Sequence, residues 1–338
     1  MVNWYCMDQK LDLLSIGDAT YDVFLEPTES ETFCEINTKD CLICFSYGDK
    51  IPVKRLEYSV GGNAANNSVG TKRLGIDVGL VSTLGGDATG NLIIDKIKNE
   101  GVNTEYVVQQ PGSPSRYSTI INYAGERTIF GYNPTHSYEF PKNLREVPFI
   151  YLTSMGESFE PFYNHLIEFV KGKEIKLFFN PGTLQIRAEK EVLQPVLEQT
   201  FVIYVNRQEA EKLTGMGSSA KQEKKLLESL SSLGPKVCVV TDGGSGSFLF
   251  DSTNGSYFKC GVLPVDAYER TGAGDAFGSG FLAAVIRGKP FSEALLWGTV
   301  NSASVIGYTG AQRGLLGEVD MPNWLERAKS SGVEVKEF

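Results

Sequence analysis

Gly272-Ala273-Gly274-Asp275, followed by the apolar Ala276-Phe277, is the stretch of this chain best suited to chemistry. Gly272 and Gly274 have no side chain to block an approaching anion, and the free N–H groups at a helix start carry partial positive charge. A phosphate fits such a place. Asp275 then lies beside those amides, positioned to take a proton from an attacking hydroxyl, which is the chemistry of phosphoryl transfer. In isolation the same aspartate reads as an ordinary helix-start residue that complements the dipole. The helix itself is legible from the spacing of Phe277, Phe281, Leu282 and Val285, with Gly288 as its stop.

A second glycine-rich element, Val60-Gly61-Gly62-Asn63-Ala64-Ala65-Asn66-Asn67, leads into a helical stretch over 68–74. Consecutive glycines let backbone come close to a ligand, and Asn66 offers the donors and the acceptor that sugar hydroxyls need. A turn with an asparagine helix cap explains the same residues. Other nucleotide motifs fail. Gly172-Lys173 and Gly288-Lys289 lack both the upstream glycine and the following Ser/Thr of a Walker A loop. Gly278-Ser279-Gly280-Phe281-Leu282-Ala283 matches a loose dinucleotide fingerprint but falls inside a helix pattern, where small residues for close packing are the better explanation.

The elements that must hold these residues follow from periodicity. Short β-rich runs at 11–17, 78–81, 149–152, 176–179, 201–205 and 237–241 read as buried strands. Between them Leu92/Ile93/Lys96/Ile97, Phe162/Leu166/Phe169/Val170 and Leu226/Leu227/Leu230/Leu233 have helical spacing. Such alternation predicts an α/β fold with a mostly parallel central sheet and helices on both faces, its ligands gathered at the carboxyl ends of the strands. Two segments break the pattern: 26–60 carries no convincing helix, and 116–132 reads as a hairpin turning near Ala124-Gly125. They predict a small β-sheet lid, formed by about 27–60 and 112–134, that excludes water from the site. One domain over 1–338 carries it, since no repeat, low-complexity tract or long linker divides the chain. Exposed lid strands leave hydrogen-bonding edges, which predicts a homodimer through the lid.

Composition narrows the partners. The 338 residues are 41% hydrophobic with a formal net charge of -9, and no Lys/Arg cluster stands out, which argues against nucleic acid or an anionic membrane as partner. The longest apolar runs, such as 281–286, are too short to span a bilayer and no signal segment opens the chain, so a cytoplasmic location is expected. Six cysteines in this length make no disulfide scaffold. Cys41 and Cys44 have metal-ligand spacing and Cys34 lies near, but no partner CxxC or neighbouring histidine completes four ligands, so packed thiols are the expectation.

Seven short motifs in order, spread over nearly the whole chain, resemble the ribokinase-like, or PfkB, carbohydrate kinase family. They are Gly17-Asp18-Ala19-Thr20-Tyr21-Asp22, Gly61-Gly62-Asn63, Gly86-Asp87-Ala88-Thr89-Gly90, Gly125-Glu126-Arg127-Thr128-Ile129, Asn206-Arg207-Gln208-Glu209, Thr241-Asp242-Gly243-Gly244-Ser245-Gly246 and Gly272 through Asp275. The resemblance implies a ribokinase-like fold and an ATP-dependent kinase that phosphorylates a hydroxyl of a sugar. It implies that Asp275 is the catalytic base and that the Gly272, Ala273 and Gly274 amides form its anion hole. By the same resemblance Asp22 and Asn66 bond acceptor hydroxyls, Gly61 and Gly62 admit the ligand to the backbone, and Thr20 faces the ligand. A carboxylate can anchor two adjacent hydroxyls, so Asp22 suits that role, although capping a turn would also explain it. Asn206 and Glu209 match the family's NxxE motif and imply Mg²⁺ held through water, while a capping box needs the same spacing. Thr241, Gly243, Gly246 and Asn301, with the Gly310-Ala311-Gln312 turn, fall where the family binds the nucleotide.

Departures from the family stand beside these matches. Glu269-Arg270-Thr271 replaces the usual Asp-Thr-Thr before the glycine loop, where members often bind a monovalent cation such as K⁺, and Asn180-Pro181 replaces an aspartate-proline pair. A nucleoside is the alternative acceptor, for which Phe45, Tyr47 and Tyr123 are candidate stacking walls or simply lid packing. From another class, a noncatalytic sugar or nucleotide sensor would use the same pocket but need not keep Asp275, Asn206 and Glu209. A dinucleotide oxidoreductase lacks a correctly placed fingerprint.

Overall fold

The structure, a computed structural model, describes residues 10–28, 36–37, 40–41, 43–123, 126–218 and 222–338. Its frame is a ten-stranded sheet. The strands Leu13–Ile16, Val78–Gly85, Asn103–Gln110, Phe149–Leu152, Lys176–Phe179, Thr200–Asn206 and Val237–Thr241 pair in parallel. Three antiparallel strands, Ser247–Asp251, Ser256–Cys260 and Val335–Glu337, extend one edge. Side chains alternate across each strand, so Leu13, Val78 and Phe178 feed one core while Leu14, Ile150 and Phe179 feed the other. Helices therefore cover both faces, as expected for buried parallel strands.

From Leu13–Ile16 the chain builds outward in both directions, first to Val78–Gly85 and later to Phe149–Leu152 on the opposite side. Connections that leave opposite faces part at that point and open a crevice above the strand ends. Asp18, Ser154 and Gln185 line a cleft there.

A separate four-stranded sheet stands over this end, in the order Val53–Gly61, Thr20–Pro27, Tyr117–Tyr123, Glu126–Tyr132. It starts earlier than the 27–60 segment expected from sequence, because Thr20–Pro27 pairs along its whole length with Val53–Gly61. The hairpin expected over 116–132 pairs Tyr123 with Glu126, and its tip at Ala124-Gly125 lies outside the described residues. Cys34 does too. Cys41 belongs to a two-residue strand rather than to one running on to Phe45, and Cys44 is an exposed free thiol. Among the described residues no helix is long and apolar enough to cross a membrane.

The helix Ala273–Ile286 packs on Phe291–Val305 with almost no gap. A methyl group added at Gly280 would lie 2.8 Å from the Trp297 carbonyl oxygen, and one at Gly298 would lie 2.9 Å from that of Phe277. Here Gly278 to Ala283 serve helix packing, as the sequence suggests. Phe277, Phe281 and Phe291 continue the contact as parallel rings, with centroids 6.4 and 6.2 Å apart. The start of the first helix is thereby held rigidly at the sheet's carboxyl edge.

Candidate active site

Gly272 occupies the N-cap of Ala273–Ile286 with φ 76°, a left-handed conformation that suits glycine, and a β-carbon there would sit 2.3 Å from that of Ala311. The first helical bond runs from the Ala276 N–H to the Gly272 oxygen at 2.8 Å, so the Gly274 and Asp275 amides have no intrahelical acceptor. Ala273 is different: its N–H already points to the Arg270 oxygen at 3.4 Å. Tyr204, at the end of a parallel strand, donates its hydroxyl to the Gly274 oxygen at 2.9 Å and stacks on Phe277 at 5.4 Å. These contacts fix the loop against the sheet.

Asp275 accepts a hydrogen bond from the Asn66 amide at 2.8 Å, and Asn66 in turn accepts one from Gln312 at 3.0 Å. Asn66 reaches this point because its helix runs Asn63–Arg73, earlier than the 68–74 stretch expected, and is capped by Gly62 without any asparagine side chain. Gly70 brings the two helices close, since a β-carbon there would meet the Ser279 hydroxyl at 2.4 Å. The amide expected to hold acceptor hydroxyls therefore already has Asp275 and Gln312 as partners. Burial raises the Asp275 pKa to about 6, opposed by the Asn66 bond and reinforced by Glu209 and Asp22. A base in that range is charged at neutral pH and still able to accept a proton.

Asp22 is 7% exposed. Burial likewise raises its pKa to about 6 against hydrogen bonds from Ser118 and Thr20, with Glu269 adding repulsion. The Thr20 hydroxyl donates to it at 3.2 Å. Gly61 faces this carboxylate, since a β-carbon there would be 2.0 Å from an Asp22 oxygen. That corrects the role expected of Gly61: its missing side chain makes room for Asp22. Gly62 has φ 89° and passes so close to Asp18 that a β-carbon would lie 2.5 Å from the Asp18 oxygen.

Two clefts open on this region. One, of about 410 Å³, is lined by Thr241, Gly243, Gly246, Arg270, Ala273 and Gly274. The other, of about 420 Å³, is lined among others by Asp18, Thr20, Gly62, Arg116, Ser118 and Gln185. Thr241 to Gly246 is a hairpin turn between antiparallel strands and lines the first cleft at once.

Several expected site residues stand elsewhere. Asn301 is fully buried inside its helix pair, donating to the Ala276 oxygen at 2.7 Å and accepting from the Leu316 N–H at 2.9 Å. Both ends of its amide are occupied, so it braces the loop's helix and does not face the first cleft. Asn206 and Glu209 form a reciprocal capping box, each side chain bonded to the other's N–H at 2.9 Å, and Asn206 does not line that cleft. Burial raises the Glu209 pKa against the Asn206 backbone bond and Lys212. Phe45 and Tyr47 are exposed, and neither they nor Tyr123 line the second cleft.

Sequence reasoning missed a buried network beside Asp22. Tyr138 donates to Asp18 at 2.7 Å and accepts from Arg116 at 2.9 Å and from the Gly156 N–H at 2.7 Å. Arg116 also reaches Asp18 at 3.4 Å and Asn133 at 3.0 Å. Burial raises the Asp18 pKa, with Arg116 opposing it. Asp18 stands in the early Gly17-to-Asp22 motif and Arg116 opens the expected hairpin, but no spacing in sequence joins either to Tyr138. Asn180 bridges three central strands, donating to the Tyr204 oxygen at 2.7 Å and accepting from Tyr151 and Thr153.

A family model described as pfkB family carbohydrate kinase matches residues 13–316. The ATP-dependent 6-phosphofructokinase of Thermoanaerobacterium thermosaccharolyticum is 25% identical over 316 residues, covering 90% of each chain. The nucleoside kinase of Methanocaldococcus jannaschii superposes with TM-score 0.76 at 21% identity, over 94% of this chain and 99% of that one. Arabidopsis thaliana ribokinase, complexed with ribose and ATP, also gives TM-score 0.76, at 20% identity over 94% and 99%.

Proposed function

The chain belongs to the pfkB family of carbohydrate kinases, and from that premise we propose that it transfers the γ-phosphoryl group of ATP to a hydroxyl of a sugar. The observation that carries the choice of acceptor is the wall of the second cleft. Among its described lining residues are carboxylates, hydroxyls and amides but no aromatic ring on which a nucleobase would stack. Thr20 and Ser118 line that wall and Asp22 is hydrogen-bonded to both, a set that would supply the directional contacts adjacent sugar hydroxyls need.

In this reading the triphosphate lies in the first cleft with its terminal phosphate over the Gly274 and Asp275 amides. The acceptor oxygen attacks the γ-phosphorus, the bond to the β-phosphate oxygen breaks, and the acceptor proton passes to Asp275. Asn66 and Gln312 hold the Asp275 carboxylate in place. The small sheet over the strand ends serves as a lid that keeps water from competing with the sugar. Glu209 is near enough to Asp275 to raise its pKa and is the residue that would hold Mg²⁺ through water. Mg²⁺ bound there through water would neutralise phosphate charge. Glu269, which replaces the family's aspartate at the loop start, takes the Thr271 hydroxyl on one oxygen and the Gly310 N–H on the other. A homodimer through the lid belongs to the same reading. Tyr58, Phe130 and Tyr132 stand exposed on one face of that sheet, and a monomeric mass in light scattering would remove the dimer.

The test is ATP consumption with Mg²⁺ across a panel of sugars and nucleosides. Turnover with sugars supports the proposal. Turnover with nucleosides alone would reassign the acceptor, and nucleotide binding without turnover on any alcohol would favour a sensor.

A further inference from the structure

Arg270 stands where the family usually has threonine, and it is the one charged side chain among the described residues lining the first cleft. The surrounding charge is strongly negative. Glu209 and Asp22 both repel Asp275, Glu269 repels Asp22, and the whole chain carries a net charge of -9. A triphosphate entering that field needs a cation close to its terminal groups.

Arg270 is free to be that cation. Its guanidinium has no carboxylate or hydrogen-bond partner among the described residues, and it is exposed. Its backbone, in contrast, is held firmly. The Tyr268 and Glu269 N–H groups both bond the Ile306 oxygen, at 2.8 and 3.1 Å, while the Glu269 carboxylate bonds the Gly310 N–H at 3.1 Å. The Arg270 oxygen meets the Ala273 N–H at 3.4 Å, so the residue sits at the loop end of the cleft, next to the unpaired Gly274 and Asp275 amides. A planar fork of donors matches two phosphate oxygens at once, and a guanidinium loses less on leaving water than an ammonium does.

We propose that Arg270 is a further catalytic residue, whose guanidinium binds the β- and γ-phosphoryl oxygens of ATP and stabilises the charge that gathers on the bridging oxygen as its bond to phosphorus breaks. It transfers no proton, since the acceptor proton goes to Asp275. The inference rests on the kinase reading above, and one set of measurements separates the two.

Phosphoryl transfer is measured for wild type, Arg270→Ala and Arg270→Lys, with calorimetric binding of ADP and of adenosine to each. Arg270→Ala should lower kcat by about 100-fold. It should weaken ADP by about tenfold and leave adenosine unchanged, because adenosine lacks the phosphates that the guanidinium holds. Arg270→Lys should recover part of both losses. A kcat within about twofold of wild type, or equal losses for ADP and adenosine, overturns the assignment while leaving the kinase reading intact. A wild-type protein that transfers no phosphoryl group to any sugar or nucleoside overturns both.

Discussion

The two clefts hold nearly the same volume, about 410 and 420 Å³, yet their walls differ: the first is the more apolar and the second is set with carboxylates, amides and a guanidinium. The first joins glycines and one charge, Arg270, to larger apolar side chains such as Leu263, Phe277 and Ile306 and to hydroxyls such as those of Thr241 and Thr299. The second sets hydroxyls, amides, carboxylates and a guanidinium among a few apolar residues such as Met155 and Leu184, and the Asp18, Arg116 and Tyr138 network fixes part of it. Backbone amides can serve any triphosphate, so glycine suffices where the ligand's charge does the binding. A neutral polyol offers only hydroxyl directions, so its cleft must be built from fixed side chains. Asp275 directly follows Gly274 of the first cleft and is repelled by Asp22, to which Thr20 of the second cleft is hydrogen-bonded, so in this account its loss should affect turnover without weakening either ligand.

That contrast can be broken most severely at Asp275 itself. Asp275→Asn keeps the shape and a hydrogen-bonding end but cannot take a proton, so kcat should fall by about 10³-fold while both ligands keep their affinities. Loss of affinity on either side would show that the residue only shapes a cleft. Next in size is Arg116→Met. Removing the guanidinium leaves Asp18 buried beside the lid without its cation, which should cost about 3 kcal/mol in denaturant unfolding. It should also raise the KM for the sugar and leave the KM for ATP unchanged. Gly61→Ala is a finer probe, because the added methyl meets the Asp22 carboxylate and must push it aside. A drop of about tenfold in kcat/KM for the sugar is expected, again with ATP unaffected. Equal changes for both substrates in either variant would mean that the clefts are not independent.

Smaller effects follow from pH. With Asp275 raised to about 6, kcat/KM should fall about tenfold per unit as the medium is acidified below that value. Stability runs the other way. The fold binds this proton more tightly than the unfolded chain does, so the group's favourable contribution is complete below the unfolded carboxylate value and is lost as pH rises through about 6. Asp275→Asn should therefore melt a few degrees above wild type at about pH 8 and show little difference at about pH 4. A thermal-shift series across that range checks both ends.

The same contrast explains what could be read from the chain. The first cleft was legible because its parts are local: Gly272 to Asp275 and Thr241 to Gly246 each carry their glycine spacing in one short stretch. The central parallel strands were legible too, since burial on both faces leaves apolar runs such as Phe149–Leu152 and the Leu177, Phe178 and Phe179 that follow Lys176. Much of the second cleft was not. Thr20, Arg116 and Gln185 come from separate segments, and no spacing in sequence reveals that they share a wall. Asn301 shows the converse error, because a residue adjacent to a ligand region in sequence can turn its side chain into the core. Partnership was hidden in the same way. Nothing in Gly61-Gly62-Asn63 shows that the first glycine serves a carboxylate on another strand, or that Asn66 is committed to Asp275.

The most direct measurement is a structure of the ternary complex with a turnover-competent sugar and a non-hydrolysable ATP analogue. The account predicts one acceptor hydroxyl within hydrogen-bonding distance of Asp275 and in line with the γ-phosphorus, the sugar lying against Asp22 and the phosphates over the Gly274 amide. A complex in which both ligands are seated with Asp275 outside the line between them would contradict it.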